Sequence, residues 1–112
     1  MKPFMRAQLE RYTQRLAELD FLLASEDILR NMTQFMALSR EHADVSVIAG
    51  RWARLQQREN DLAQAQTLLG DAGTDADMLQ MAQEEIQAAS SECDQLGNEL
   101  QRLLLPKDPD DA

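Results

Sequence analysis

With 112 residues the chain has room for one domain and not for two of ordinary size, and with aromatics at only 4% its core has to be aliphatic. Twenty acidic against eleven basic residues leave a net charge of −9, which argues against a general nucleic-acid surface, DNA included, or an anionic-membrane surface. No apolar run approaches the about 18 residues of a membrane span. The opening Met1-Lys2-Pro3-Phe4-Met5-Arg6 has no apolar leader core, and one cysteine beside one histidine supports neither an internal disulfide nor a zinc site. A cytoplasmic single-domain protein is the expectation, without cofactor or metal.

The elements read as helices throughout. Pro3 suits a first helical turn, where its missing N–H would have no partner anyway. Met5, Leu9, Tyr12, Leu16, Leu19 and Leu23 then recur at spacings of three and four, the apolar stripe of an amphipathic helix ending near Ala24. A short polar connector through Ser25-Glu26-Asp27 leads to Asn31, which with Gln34 resembles a capping box.

A second helix is expected from about Asn31 to Leu69. Leu38, Val45 and Trp52 form one row at intervals of seven, and Ile48, Leu55, Leu62 and Leu69 a second, interrupted by Glu41, Glu59 and Gln66. No proline falls between Pro3 and Pro106, and Gly50 is the only interior glycine. Such a helix would be about 58 Å long, a rod rather than a globule's helix. Gly70 suits a left-handed C-terminal cap, and Thr74 with Asp77 is placed to begin a third helix.

The third helix has the most regular seam: Leu79, Ala82, Ile86, Ala89, Cys93, Leu96, Leu100 and Leu103. A five-residue connection between two long helices implies an antiparallel hairpin. The expected fold is therefore all-α: an elongated three-helix arm with a long antiparallel helical hairpin over residues 1–105. Pro106-Lys107-Asp108-Pro109-Asp110-Asp111-Ala112 then reads as a linker.

Charge is uneven. Residues 1–70 hold nine acidic and nine basic groups, whereas residues 71–112 hold eleven acidic groups against Arg102 and Lys107. The first two helices can face an RNA-containing partner and the third cannot.

Chemistry is sparse. His42 lies between Leu38 and Val45 on a helical rod that offers no pocket for catalysis, so it reads as a flanking surface histidine. Cys93 sits on the seam, where a thiol packs as a small hydrophobe, and acidic Glu92 and Asp94 would raise its pKa rather than activate it. Trp52 reads as a packing anchor. Glu84-Glu85 and Asp108-Asp110-Asp111 lack the spacing of a calcium loop, and no phosphate-cradling glycine loop or catalytic motif is present. Gly97 breaks a good helix, through either close helix approach or a tolerated surface defect. Candidate partner contacts are Arg11 and Arg15, within a mixed-charge face that also holds Arg6, Glu10 and Glu18. Phe21 joins them as an aromatic nearly opposite the apolar stripe.

Leu103-Leu104-Leu105-Pro106-Lys107-Asp108-Pro109-Asp110-Asp111 resembles the junction segment of the bacterial class I peptide chain release factors that read UAA and UAG. Ala37-Leu38-Ser39-Arg40-Glu41, Met81-Ala82-Gln83-Glu84-Glu85-Ile86 and the Met1-Lys2-Pro3 opening are similar to further stretches of the same family. The resemblance covers all 112 residues and implies an N-terminal helical domain, with 106–112 leading toward codon-recognition and catalytic domains. It further implies translation termination on the ribosome, contact near the large-subunit stalk base, and the GTPase release factor as a second partner.

The family's Pro-x-Thr and Gly-Gly-Gln tripeptides do not occur here, so the resemblance transfers no catalytic residue. Two other classes fit the periodicity: a free-standing coiled-coil adaptor or chaperone-type arm, and a tRNA-binding helical arm like that of seryl-tRNA synthetases. The latter would carry basic residues along both rods, which the third helix lacks.

Overall fold

The computed structural model describes residues 1–71 and 73–105, so the expected linker at 106–112 lies outside the described residues. Among the described residues every regular element is helical. They are α1 (Pro3–Leu23), a 3-10 segment (Glu26–Arg30), α2 (Met32–Leu69) and α3 (Ala76–Leu104). Two compact units divide the chain, Met1–Trp52 and Ala53–Ala112.

In the first unit, Pro3 opens α1, and the Lys2 carbonyl accepts from the N–H groups of Met5 and Arg6 at 3.0 and 3.2 Å. Leu9 and Leu19 of the stripe are fully buried. Met5, Tyr12, Leu16 and Leu23 are half-buried. The connector is more structured than its polar sequence suggests, because it forms a 3-10 turn that buries Ile28. At the start of α2, Asn31 Oδ1 accepts from the Gln34 N–H at 3.1 Å, which is half of the expected capping box. The reciprocal half is absent because the Asn31 N–H bonds the Ile28 carbonyl and closes the 3-10 turn. Val45, Ile48, Ala49 and Trp52 complete the buried set of this unit.

In the second unit the remainder of α2 and α3 run antiparallel. Arg54 pairs with Glu92, Arg58 with Glu85, and Thr74 reaches back to Leu68, so numbers rise along one helix as they fall along the other. Its buried apolar side chains are Leu55, Ala65, Ala82, Ala89, Leu96 and Leu100. Three of the six are alanine, which permits close helix approach. The ends of the expected seams fall outside this core, with Leu69 37% and Leu103 40% exposed.

The turn between these helices differs from the sequence reading. Gly70 has no left-handed conformation; its N–H bonds back to the carbonyls of Gln66 and Thr67. The residue expected to begin α3, Thr74, instead closes α2 by donating its hydroxyl to the Leu68 carbonyl at 3.0 Å. Asp75 takes the N-cap role, its Oδ1 accepting from the Met78 N–H at 2.8 Å.

The two interior glycines have a simple role. Among the described residues a Cβ built at Gly50 or Gly97 meets nothing within 4 Å, so close approach to any of them is not the reason for Gly97. Each glycine therefore weakens its helix without easing a contact. Gly50→Ala and Gly97→Ala are expected to raise unfolding free energy by about 0.5–1 kcal/mol each. Urea denaturation followed by circular dichroism checks this; a loss of stability in either variant contradicts the open space at that position.

Candidate functional site

The candidate contact residues all lie on α1, but they do not form one cluster. Arg15 is committed within the first unit: Nε and Nη2 donate to the two carboxylate oxygens of Glu41 at 2.6 and 2.7 Å, and Nη1 to Glu18 at 3.0 Å. The fork of hydrogen bonds from Arg15 holds the Glu41 carboxyl below its ordinary range, and the same bonds raise the guanidinium further. Arg11, four residues earlier and exposed, borders the same shallow depression as Arg15, Tyr12, Glu41 and Val45. Phe21 is 78% exposed, in keeping with its position off the stripe. Ten residues beyond Arg11, it lies about 80° round the helix from that arginine.

The other singled-out side chains have structural environments. His42 Nε2 lies 2.7 Å from Asp20 Oδ1 at the unit's surface. Trp52 is 2% exposed, as a packing anchor should be. Two of its partners were missed from sequence. Its Nε1–H donates to Glu10 Oε1 at 2.9 Å, and the Arg6 guanidinium carbon sits 5.5 Å from the ring centroid. A buried tryptophan needs an acceptor for its one N–H, and that need was the available signal. Cys93 is half-buried, and burial above all pushes its thiol up, followed by the nearby Glu59 carboxylate; Glu92 and Asp94 contribute less. No nucleophile–base pair is formed by it.

Sequence reasoning also passed over the charged ladder of the second unit. Glu92 accepts from Arg54 through both oxygens, at 2.7 and 3.1 Å, and its Oε2 lies 2.7 Å from Arg58 Nε. Arg58 further approaches Asp61 at 2.8 Å and Glu85 at 2.7 Å. The Arg58 Nε and Glu85 Oε1 contacts are ion pairs without hydrogen-bond alignment, so their attraction is Coulombic. The pair of arginines four residues apart, facing glutamates seven apart, was visible in the sequence. Its register across helices was not.

Beside this ladder lies a groove of about 420 Å³. Ala65 and Ala82 lie among its lining residues, with the larger Leu68, Met78 and Met81 beside them. Among the described residues, no group of three His, Cys, Asp or Glu side chains could hold a metal ion, and no helix is long and apolar enough to cross a membrane.

Among the described residues the chain is thus all-α, its second unit an antiparallel helical hairpin, with Arg15, Arg54, Arg58, Glu41 and Glu92 committed to ion pairs. The family model of the PCRF domain matches residues 12–112, and the chain belongs to that family. It is 62% identical over 112 residues to peptide chain release factor 1 of Albidiferax ferrireducens, covering all of this chain and 31% of that protein. The corresponding protein of an Acidovorax species is 64% identical over 111 residues, 99% of this chain and 29% of its own length. That of Delftia acidovorans is 63% identical over 112 residues, the whole of this chain and 30% of its own. The chain therefore spans just under a third of the length of these curated relatives. No solved structure matches it.

The ion pairs carry a pH signature. Glu41 is held below its ordinary 4.5 by Arg15, Glu92 below 4.5 by Arg54, and Asp61 below 3.8 by Gln57 and then Arg58. Groups whose folded pKa is depressed bind fewer protons folded than unfolded. Their stabilisation is therefore present above the unfolded pKa and lost as pH falls through the folded one. Melting temperature is expected to be flat from neutral pH down to about 5 and to fall steadily below it. Glu92→Gln should flatten part of that acid limb in a pH series of thermal melts. An unchanged acid limb in the variant removes Glu92 as a contributor.

Proposed function

We propose that this chain serves translation termination, as the helical N-terminal part of a factor that directs UAA- and UAG-dependent release of the nascent peptide. The observation that carries this reading is identity of 62–64% across essentially the whole chain to proteins named peptide chain release factor 1. The PCRF-domain match supports it. In this reading the chain acts in the cytoplasm with the ribosome as its partner. Its own contribution is binding rather than chemistry, since it carries neither a Gly-Gly-Gln nor a Pro-x-Thr tripeptide.

The contact lies near the base of the large-subunit stalk, with the GTPase release factor as a second partner. Charge favours α1 for an RNA-facing role, because residues 1–70 are neutral overall whereas residues 71–112 are net −9 and would repel phosphates. Arg11 and Phe21 are the exposed side chains of the candidate set, while Arg15 reaches a partner only at the expense of Glu41 and Glu18.

Grafting these 112 residues in place of the matching part of the Albidiferax factor tests the reading. The chimaera is expected to release peptide at UAA and UAG and not at UGA, and the 112-residue chain alone to stay at the no-factor background. A folded but inactive chimaera, or codon-dependent release by the chain alone, contradicts it.

Within the active chimaera, Arg11→Glu combined with Phe21→Ser should weaken ribosome association about three- to tenfold at 0.1 M salt, and less at higher salt. Glu84→Lys should leave association unchanged or slightly tighter. The opposite ranking moves the ribosome contact to the acidic helix.

A further inference from the structure

The groove of the second unit combines two properties that share no common structural cause. Its lining mixes apolar residues with Arg58, Asp61, Gln64 and Glu85, and the larger apolar ones are only partly covered: Leu68 is 36% exposed, Met78 46% and Met81 67%. Beyond the Arg54–Arg58 ladder its surroundings are anionic. From Glu59 to Gln101 the sequence has ten acidic residues and no lysine, arginine or histidine. The N-cap Asp75 precedes Met78 by three positions, and on α3 Asp77 precedes Met81 by four and Glu84 follows Met81 by three. Those spacings place carboxylates beside the methionines on the helix surface. Among the described residues, the one cation lining the groove is Arg58, which is engaged by Asp61, Glu85 and Glu92.

We propose that this groove receives a cationic amphipathic helix of another protein, its apolar side on Leu68, Met78 and Met81 and its lysines or arginines toward Asp75, Asp77 and Glu84. Charge selects the occupant. A nucleic acid would meet carboxylates with phosphates, and a second copy of this chain would bring two anionic rims together. A peptide with one cationic and one apolar side satisfies both features at once. Unbranched methionine side chains adapt to whichever apolar residues it presents. The proposal goes beyond the termination reading and does not depend on it, since it concerns a surface of the second unit and not the residues of α1.

The test uses the 112-residue chain and a labelled synthetic peptide of about five helical turns, with leucine on one face and lysine on the other. A scrambled peptide of the same composition and a charge-inverted peptide with glutamate for lysine are the controls. Anisotropy at 0.1 M salt is expected to show saturable one-to-one binding of the amphipathic peptide only. The decisive variant is Met78→Asp with Met81→Asp, or Met81→Asp alone if the double variant loses helical circular dichroism. These substitutions add negative charge while removing apolar surface. Groove docking therefore predicts binding weaker by at least about tenfold, whereas mere attraction between opposite charges predicts equal or tighter binding. Asp77→Asn with Glu84→Gln should weaken binding about two- to threefold and reduce its salt dependence. Equal or tighter binding by the methionine variants, equal binding of the scrambled or inverted peptide, or a dimer of the chain that Met81→Asp dissolves would each overturn the proposal.

Discussion

Alanine at three positions of the hairpin core governs the second unit. Ala65, Ala82 and Ala89 are buried at positions where leucines would need more room between the helices. This small-residue core lies beside arginines of α2 that come within 2.7 Å of glutamates on α3. It also leaves Leu68, Met78 and Met81 as a partly open groove, because a small floor cannot bury large flanking residues.

The first unit solves the same problem with large side chains. Trp52 supplies apolar area, and its N–H obliges Glu10 to turn toward it. Arg15 with Glu41 and Asp20 with His42 then join α1 to α2 along the margin. These contacts use up polar groups that a sequence reader would offer to a partner, Arg15 foremost. Arg11 and Phe21 stay exposed because no residue of this unit requires them. Within a termination factor, such a division of labour would separate a face for ribosomal RNA from a groove for protein.

Three helices, though not the start of the third, were legible because apolar periodicity depends on one helix at a time. Leu9, Leu19, Val45, Trp52, Ala82, Ala89, Leu96 and Leu100 were all read as buried from spacing, and all are. Leu69 and Leu103 were misjudged because periodicity continues past the point where the core runs out. The 3-10 turn was read as plain connector, since a single buried Ile28 has no period. Cross-helix partners were illegible for a related reason. Glu10 with Trp52, or Arg58 with Glu85, depends on register between helices, which no single helix encodes. The groove was hidden for the same reason, although the cation-free stretch around it could have been counted from the sequence.

The turn after α2 reverses the usual expectation about which residues in a loop tolerate drift. Gly70 attracts the eye, yet its backbone is one that any L-residue adopts, and a methyl there would meet only ordinary contacts at 3.6 and 3.8 Å. Thr74 and Asp75 look interchangeable with other polar residues, yet one hydroxyl closes the outgoing helix and one carboxylate opens the incoming helix. Sequences diverging from this one can therefore lose the glycine silently. The threonine–aspartate pair is the part of the turn whose spelling has to persist.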